Sequence, residues 1–483
     1  MQAWRGQQGR GSPPSLEAEG SQRQGVSGQY VKIGASPSEF PNGGKLRVAL
    51  VDLESERSGW NKDQAGSFGT RIGTGASIFS KLLDRFKRTG IRLPVLYLAY
   101  ANAILRREGH EVTHHLNDFP KDAQLVLIPS SIVDCKWELD FARRVKKESN
   151  ATVGALGAFS SVKPEYYLHC FDFVVVGEPE DALIRIARKE QELSELRGIV
   201  KSEPIKDLDS LPFPDWTGFP VEEYRYFPTL TERPFITMVS SRGCPYDCTY
   251  CPYIVLQGST FRKRSAVNVV QEIAQNISNY GIKGLLFRDP LFTLDKQRVS
   301  EICKEIVRRG VSIKWCCETR VDCLDESLID EMRNSGMRAI NLGVESANPE
   351  ILRSASRKPA TLEYQERIVN YLEDSGVKVV AFYILGFPGD TKETIDATIE
   401  YAKKLNTSIA QFTILTPYPG TKYYDQVRDQ ITTSDWTCFN GYTPVVKTEN
   451  LDVEQLLAAK QQAFSRYYLR RSWILRKSWK AIS

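Results

Sequence analysis

The sequence predicts an α/β protein with a doubly wound parallel sheet, a partial (β/α)6 barrel and a small helical C-terminal region. Residues 45–190 and 234–430 each alternate short β-branched segments with longer amphipathic ones, the pattern of strands and helices in parallel sheets. The second stretch holds six such units, too few for a closed eight-unit barrel but suited to an open one. A length of 483 residues also exceeds that of one typical domain.

Composition and charge exclude several classes of protein. Hydrophobic residues make up 41% and charged residues 25%, as in ordinary globular domains. The net charge of +5 is too small to indicate a nucleic-acid binder by itself. The longest apolar runs, such as Leu125–Pro129, fall far short of the roughly 20 residues of a membrane span, and the N-terminus lacks the apolar core of a secretory signal. We therefore expect a soluble cytoplasmic protein.

The first domain is predicted to begin near residue 45. Residues 1–44 are rich in Gly, Ser, Gln and Pro, which indicates either a disordered tail or a start site assigned too early. The glycine-rich stretch 66–75 lacks the spacing of a dinucleotide fingerprint and the Lys-Ser/Thr of a phosphate loop. Residues 191–233 are charged and then proline-rich, which predicts a linker. Strands and helices are predicted to alternate at Leu46–Val51, Ile78–Arg88, Pro94–Glu108, Glu111–His115, Leu125–Pro129, Glu138–Lys147, Thr152–Leu156, Phe171–Val176 and Ala182–Lys189.

The second domain, residues 234–430, repeats this alternation six times. Its strands are predicted at Ile236–Ser240, Gly284–Arg288, Ile313–Cys317, Ala339–Val344, Val379–Leu385 and Gln411–Leu415. Its helices are predicted at Val267–Tyr280, Lys296–Arg309, Glu326–Ser335, Leu362–Ser375 and Lys392–Leu405. A further helix, Val453–Tyr468, is expected within the C-terminal region 431–483.

Three of the ten cysteines fall within eight residues, directly after the first predicted strand of the second domain. Cys244, Cys248 and Cys251 have the spacing C-x3-C-x2-C. In a chain with so few cysteines, such a cluster indicates metal or redox chemistry rather than a disulfide scaffold. Three thiolates on one loop can bind three irons of a [4Fe–4S] cube and leave the fourth iron open for reaction.

The alternative interpretation is a zinc knuckle or three unrelated core cysteines. Zinc needs a fourth ligand close by, but the next cysteine downstream is Cys303. All four histidines, which are His110, His114, His115 and His169, lie in the first domain.

This motif resembles that of the radical S-adenosylmethionine (SAM) superfamily, because an aromatic residue, Tyr250, stands just before the third cysteine. The resemblance covers about residues 234–430 and implies a [4Fe–4S] cluster on Cys244, Cys248 and Cys251. It also implies that SAM chelates the open iron through its amino and carboxylate groups. Electron transfer from the cluster would then cleave a C–S bond, normally releasing a 5′-deoxyadenosyl radical. An electron donor such as flavodoxin or ferredoxin is implied as a partner.

The resemblance also assigns further residues to SAM binding. Tyr250 is expected near the adenine, while Glu345 and Ser346, at the end of the fourth strand, are expected at the ribose. Arg320 follows the third strand and is expected to bind the SAM carboxylate; a helix-capping or surface arginine is its alternative. All these positions lie at the carboxyl ends of strands, where barrels of this kind build their sites.

Two positions depart from the superfamily's usual motifs. Gly386 ends the fifth strand, where a turn can let the backbone approach the adenine, but the surrounding Gly-x-Ile-x-Gly-x-x-Glu pattern is incomplete. The Gly-Gly-Glu expected after the second strand is missing, and Asp289 stands there instead. We expect Asp289 to receive the SAM amino group.

The first domain is similar to the vitamin B12 (cobalamin)-binding class of radical SAM enzymes, which includes methyltransferases and the anaerobic porphyrin ring cyclase. The resemblance rests on Leu93–Tyr100, Ala103–Val112 and Phe173–Glu180. The Asp-x-His-x-x-Gly motif that supplies an axial histidine to cobalt is absent. Cobalamin is therefore expected to bind without a protein imidazole on cobalt, or not to bind at all.

Candidate cobalamin contacts lie in two loops at the crevice beyond the sheet, at Ser130, Ser131, Gly154 and Gly157. Ordinary tight-turn chemistry is the alternative for all four residues. His114 and His115 are expected on a strand, as structural residues.

The leading hypothesis is a radical SAM enzyme that methylates an unactivated carbon or a phosphorus centre of a small molecule with the help of cobalamin. The second keeps the radical chemistry for ring closure, rearrangement or transfer of a SAM fragment. The third is a non-catalytic iron–sulfur carrier or nucleic-acid-binding module. An open cluster site argues against the carrier and the modest charge against the module. The basic, aromatic tail 466–479 is expected to pack on the barrel rim.

Overall fold

Two six-stranded parallel sheets organise the chain in the computed structural model, which describes residues 44–54, 60–61, 68–71, 78–190, 192–471 and 473. Both sheets belong to one unit, Pro41–Ser483. The predicted N-terminal tail, most of the glycine-rich stretch 66–75 and the end of the basic tail lie outside the described residues.

The strands as far as residue 201 are β1 (Arg47–Asp52), β2 (Trp60–Asn61), β3 (Thr70–Arg71), β4 (Ile91–Arg92), β5 (Glu111–Leu116), β6 (Leu125–Pro129), β7 (Thr152–Leu156), β8 (Phe173–Val176) and β9 (Gly198–Lys201). The first sheet has the order β5-β1-β6-β7-β8-β9, with every pair parallel. The chain reverses its direction of travel across the sheet at β1 and β6, and this switch point is where doubly wound sheets bind ligands.

The helices of this part are α1 (Ile78–Gly90), α2 (Leu96–Arg107), α3 (Cys135–Glu148), α4 (Ala158–Val162), α5 (Pro164–Leu168) and α6 (Glu180–Ala187). Every residue of β6 and β7 is buried, as expected for a parallel sheet covered on both faces. The sheet continues through β9, beyond residue 190, where the sequence predicts the first domain to end. The β-branched edge residues Ile199 and Val200 fall inside the predicted linker.

The strands of the second part are β10 (Arg225–Tyr226), β11 (Phe235–Met238), β12 (Ser241–Arg242), β13 (Arg262–Lys263), β14 (Gly284–Phe287), β15 (Lys314–Thr319), β16 (Met337–Glu345), β17 (Lys378–Leu385) and β18 (Ile409–Ile414). The second sheet follows chain order, β11-β14-β15-β16-β17-β18, and is parallel throughout. The predicted open six-unit barrel is confirmed. Three short antiparallel pairs, β2 with β3, β10 with β4 and β12 with β13, stand outside the large sheets among the described residues.

The helices of the second part are α7 (Tyr253–Gln257), α8 (Ala266–Tyr280), α9 (Lys296–Arg308), α10 (Glu326–Asn334), α11 (Pro349–Ser354), α12 (Leu362–Asp374), α13 (Lys392–Leu405), α14 (Lys422–Val427) and α15 (Val453–Tyr468). The longer barrel helices begin at a side chain that accepts a hydrogen bond from a first-turn amide, which fixes where each helix starts. These N-caps are Ser265, Asp295, Asp325, Thr361 and Thr391.

Helix α15 has the bounds predicted from the sequence and covers the last strand of the barrel. The ring of Phe464 meets that of Phe412 edge-on at 5.5 Å, and the Tyr468 hydroxyl donates to the Ala410 carbonyl at 2.8 Å. The aromatic helix therefore protects β18, which would otherwise be an open edge. In the part of the chain that is described, no helix is long and apolar enough to cross a membrane.

Candidate functional site

The three clustered cysteines lie on the loop between β12 and α7, at the carboxyl edge of the barrel sheet. All three thiols are free; Cys248 is buried, and Cys244 and Cys251 are half-buried. Gly243 starts the loop with φ +78°, and a Cβ there would lie 2.1 Å from the Thr260 carbonyl oxygen. Only glycine fits this close approach of two backbone segments.

Burial raises the pKa of all three thiols, that of Cys251 to about 12. The guanidinium groups of Arg357 and Arg320 act in the opposite direction on the pKa of Cys248. Without metal the thiols hold their protons at neutral pH, and a metal would displace them on binding. Across the described ranges no set of three or more His, Cys, Asp or Glu side chains stands close enough to hold a single metal ion.

Two arginines lie beside the cysteine loop. Arg320 donates to both carboxylate oxygens of Asp322, at 2.8 and 2.7 Å, and its guanidinium lies 4.3 Å from the ring centre of Tyr246. Tyr246 stands between the first two cysteines, so this stacking brings Arg320 to the loop. The Arg320 Nη1 atom is buried, and no side chain or carbonyl among the described residues accepts its hydrogen bond.

Arg357 is the functional candidate that sequence reasoning missed. Its Nη1 lies 3.5 Å from the Glu345 carboxylate, and its Nη2 donates to the Gly343 carbonyl at 2.5 Å. It follows α11 in an irregular segment, more than 100 positions after Cys248, and no local spacing rule connects the two. Only the folded barrel places this cation next to a cysteine.

The end of β16 is strained at Glu345, which has φ +68°. The ladder with β17 shifts register between Gly343 and Glu345, which marks a bulge. Burial raises the pKa of Glu345, whereas Arg357 and Arg320 lower it. Strained, buried charged residues of this kind concentrate at functional sites. Glu345 is therefore a candidate functional residue.

Ser346 does not share the setting of Glu345. Its hydroxyl lies 3.3 Å from that of Thr398 and accepts a hydrogen bond from the Asn348 amide at 3.1 Å. The side chain is 2% exposed. Ser346 thus helps to fix the start of α11, and its expected contact with the SAM ribose stays a prediction.

Tyr250 is buried against the turn that follows β17. Its ring meets that of Phe387 edge-on, with centres 5.4 Å apart and planes at 78°. Its hydroxyl has no hydrogen-bond partner among the described residues, and burial raises its pKa well above the usual value. Tyr250 and Phe387 together form an apolar wall beside the cysteines.

Gly386 begins that turn with φ +87° and donates its amide to Asp390 at 2.9 Å. A Cβ on Gly386 would lie 3.1 Å from the Leu456 side chain of α15. The backbone conformation and the packing of α15 therefore both favour glycine here. Its expected approach to adenine stays a prediction.

Asp289 is held by the two serines that precede the cysteine loop. It is fully buried, and its oxygens accept hydrogen bonds from the Ser240 amide and hydroxyl and from the Ser241 hydroxyl, at 2.7, 2.6 and 2.5 Å. Arg298 lies 3.7 Å away and opposes the rise in the pKa of Asp289 that burial causes. Asp289 anchors the strand-to-loop turn before Cys244, and its expected contact with the SAM amino group stays a prediction.

Glu318 forms a second polar group missed from the sequence, between neighbouring strand ends. Its carboxylate accepts hydrogen bonds from the Tyr253 hydroxyl at 3.0 Å and from the Asn341 side-chain Nδ2 at 3.2 Å, and it pairs with Arg288. Tyr253 comes two residues after the last clustered cysteine. The network therefore connects the cysteine loop to β15 and β16.

In the first domain, Ser130 and Ser131 follow β6 at the switch point and are buried. The Ser130 hydroxyl donates to Ser160 at 2.9 Å, and the Ser131 hydroxyl donates to Glu138 at 2.8 Å. Both hydroxyls are thus occupied within the domain, which favours the tight-turn alternative for these two side chains.

The two candidate glycines of the first domain also differ from each other. Gly157 has φ +123° and precedes α4 at the carboxyl end of β7. Gly154 lies inside β7, where a Cβ would come 2.2 Å from the ring of Phe173. Gly154 therefore makes room for a core aromatic ring, and its expected contact with cobalamin stays a prediction.

His114 and His115 lie on β5, as predicted. The His114 ring packs on Phe219 with centres 4.1 Å apart, and burial lowers its pKa to about 4. His110 accepts the Leu46 amide at 3.2 Å through Nδ1 and lies 2.7 Å from the Ala187 carbonyl through Nε2. The contacts of His114 and His110 are those of structural residues.

Comparison with known proteins agrees with this geometry. The model of the radical SAM superfamily matches residues 238–402. An uncharacterized methyltransferase of Pyrococcus horikoshii is 32% identical over 411 residues, which cover 78% of this chain and 88% of the relative. The chain belongs to the radical SAM superfamily.

Two further proteins are similar to this radical SAM enzyme. An anaerobic magnesium-protoporphyrin IX monomethyl ester cyclase of Rubrivivax gelatinosus is 28% identical over 273 residues, covering 56% of this chain and 48% of the cyclase. The radical S-adenosylmethionine methyltransferase TsrM of Kitasatospora setae, solved with cobalamin and a [4Fe–4S] cluster, has a TM-score of 0.59. It is 18% identical, and the match covers 87% of this chain and 85% of TsrM. The two proteins share a fold.

Membership of the superfamily gives the protein a [4Fe–4S] cluster and SAM as cofactors. The donor set fits a cluster, because three free thiols share one loop and two buried guanidinium groups lie beside them. A cluster held by three thiolates is anionic, and nearby cations stabilise it.

Proposed function

We propose that this radical SAM enzyme is a cobalamin-dependent methyltransferase that acts on an unactivated carbon or a phosphorus centre of a small molecule. The proposal depends above all on one observation: β12, which leads into the cysteine loop at the carboxyl edge of the open barrel, is in direct contact with the first domain through Arg242. A substrate between the two domains would be close to both. Such proximity is what two-step methyl transfer requires.

In this proposal Cys244, Cys248 and Cys251 each hold one iron of the cluster. Tyr246 and Arg320 stack within the loop, and Arg357 lies against Cys248, so that buried positive charge faces the thiolates. Asp289 fixes the loop's first turn through the two serines before Cys244. These residues hold the cysteines in place and leave the fourth iron without a protein ligand.

SAM is proposed to lie between the ends of β15, β16 and β17. Arg320 offers its remaining guanidinium N–H groups to the SAM carboxylate. Tyr250 and Phe387 provide an apolar wall for the adenine, and Glu345 accepts hydrogen bonds from the ribose hydroxyls. When bound, the cluster supplies the electron that cleaves SAM, and cobalamin carries the methyl group.

Cobalamin is proposed to bind at the switch point between β1 and β6, with Gly157 lining the crevice. His114 and His115 lie on β5 with their rings engaged by Phe219 and Thr113, and His110 is tied to backbone groups. We therefore propose that none of these three histidines ligates cobalt. A flavodoxin or ferredoxin is proposed as the electron donor.

The test uses the protein reconstituted anaerobically with iron and sulfide, a chemical reductant and SAM, with and without hydroxocobalamin. We expect S-adenosylhomocysteine to form only when hydroxocobalamin is present, and the protein to retain corrinoid absorption after gel filtration. Equal S-adenosylhomocysteine without the corrinoid, or no corrinoid retained, would overturn methyl transfer through cobalamin.

The second candidate function is ring closure or rearrangement without methyl transfer. The similarity to the Rubrivivax cyclase favours it. With methyl-labelled SAM and the true substrate, methyl transfer places label in the product, alongside comparable S-adenosylhomocysteine and 5′-deoxyadenosine. An unlabelled product with 5′-deoxyadenosine as the sole SAM fragment would establish the cyclase-like reaction.

A further inference from the structure

Four buried charged side chains join the first domain to the barrel. Glu178 and Glu180 come from the turn after β8, while Arg242 and Arg262 come from the paired strands β12 and β13. Glu178 is 1% exposed, Glu180 0%, Arg242 1% and Arg262 9%. Each domain therefore contributes two charges of one sign to a single dry contact.

The pairing of these charges is specific. Arg262 donates two hydrogen bonds to the Glu178 carboxylate, at 2.8 and 2.6 Å, and Arg242 donates one to Glu180 at 2.7 Å. Arg242 also lies 3.3 Å from Glu178. The net charge is zero, and removing one member would leave its partner buried without compensation.

These arginines bracket the loop that carries the cysteines. Arg242 stands two residues before Cys244, and Arg262 follows the end of α7. Arg262 donates to the Gln257 carbonyl at 3.0 Å, while the Gln257 side chain accepts the Gly243 amide at 3.0 Å. The Cys244 amide in turn donates to the Gly258 carbonyl at 3.3 Å. Both ends of the loop are thereby connected to the first domain.

The glutamates are held by a turn with its own constraint. Gly177 has φ +103°, and a Cβ there would lie 2.6 Å from the Ser202 carbonyl oxygen. The Ser202 hydroxyl donates to the Glu178 carbonyl and accepts the Ala182 amide at 3.1 Å. The turn is therefore fixed within the first domain before it meets the barrel.

We propose that the turn Gly177–Glu180 is a positioning element for the cysteine loop, so that the first domain is part of the cluster site. The inference rests on the proposed function only in taking Cys244 as a cluster ligand. The two glutamates are positioning residues, because they act on Cys244 through Arg242, Arg262 and Gln257.

The first test measures alkylation of Cys244 in the full chain before iron is added. The rate of iodoacetamide labelling is followed by mass spectrometry, with half-buried Cys438 as the internal reference. We expect Glu180→Gln and Arg242→Gln each to increase the labelling rate of Cys244 about tenfold. In the double variant the increase should be well below the product of the two single increases, because both changes disrupt the same ion pair. Rates within twofold of wild type in both single variants would overturn the proposal.

Two further variants separate positioning from general loss of stability. Val174→Ala weakens the core of the same domain on β8 without touching the ion pairs. Compared with an ion-pair variant of equal thermal stability, it should leave the labelling rate of Cys244 unchanged. Arg242→Lys keeps the charge but loses the fork geometry of guanidinium, and should give an intermediate rate even if Glu180→Gln fails to fold. Equal acceleration by Val174→Ala would contradict positioning.

The second readout is the rate at which a chelator removes iron from the reconstituted protein. Glu180→Gln should release iron about tenfold faster than wild type, whereas Glu165→Gln, on an exposed side chain of the same domain, should not. Failure of the wild type to take up iron would refute the proposed cluster. The labelling rates would then decide alone whether the turn Gly177–Glu180 positions the cysteine loop.

Discussion

Arg357 and Glu345 form a buried ion pair whose removal should be costly and pH-dependent. Their atoms lie 3.5 Å apart, a separation at which two unit charges attract by about 5 kcal/mol for an effective dielectric constant near 20. Arg357→Met leaves Glu345 buried without its nearest cation. Breaking a buried pair in this way costs about 3–5 kcal/mol, and we expect a loss of that size in the free energy of unfolding at pH 8.

The sign of the pH dependence follows from Glu345. Burial raises its pKa and Arg357 opposes that rise, so Arg357→Met moves the folded-state pKa further above its unfolded value. A raised pKa means that protonated Glu345 stabilises the fold at low pH, and that this contribution is lost as pH rises. The loss caused by Arg357→Met should therefore be smaller at pH 5.5 than at pH 8, changing by at most about 1.4 kcal/mol per pH unit.

Urea unfolding at both pH values is the assay, with Arg353→Met on the exposed side of α11 as the matched control. The double variant Arg357→Met/Glu345→Gln removes both charges and should recover most of the loss, with no pH dependence of its own. A loss below about 0.5 kcal/mol for Arg357→Met, or an equal loss at both pH values, would refute the reasoning.

Three other outcomes can be checked independently. Changing any one of the clustered cysteines to alanine, for example Cys248→Ala, should lower the iron content after reconstitution well below about four per chain. The control variant Cys303→Ala on α9 should keep the full iron content. Full iron content in Cys248→Ala would remove that residue from the ligand set. Replacing the four histidines one at a time should leave hydroxocobalamin binding and the cobalt spectrum unchanged, so a spectral shift in any of them would identify an axial ligand. Gly154→Ala should cost about 1–3 kcal/mol of stability by crowding the Phe173 ring, while Gly44→Ala, with nothing within 4 Å, should cost little; equal stability of both variants would mean that the ring can move aside.

Much of the fold could be predicted because its signals are local. The runs of β-branched residues that form β6, β7 and β17 read as buried strands in the sequence, and α15 has the predicted bounds. The cysteine spacing is equally local. The sequence does not predict edge strand β9, because its four residues follow a charged segment and carry little periodicity.

The contacts within the site depend on residues that are far apart in the chain. Arg242 meets Glu180 across 62 positions and Tyr253 meets Glu318 across 65, and no spacing rule predicts such pairs. The surroundings of Asp289 are equally non-local. Its place at a strand end predicts a ligand contact, whereas the internal donors that a fully buried carboxylate needs come from Ser240 and Ser241, about 50 positions earlier. The roles of Tyr250, Arg320 and Glu345 in binding SAM remain predictions.

Reductive cleavage of SAM tests the central claim most directly. The anaerobically reconstituted protein, loaded with about four irons per chain, is reduced with dithionite and incubated with SAM alone. We predict that 5′-deoxyadenosine and methionine form in equal amounts, and that neither forms when Cys244, Cys248 and Cys251 are all alanine. A fully loaded and reduced protein that leaves SAM intact would contradict the account.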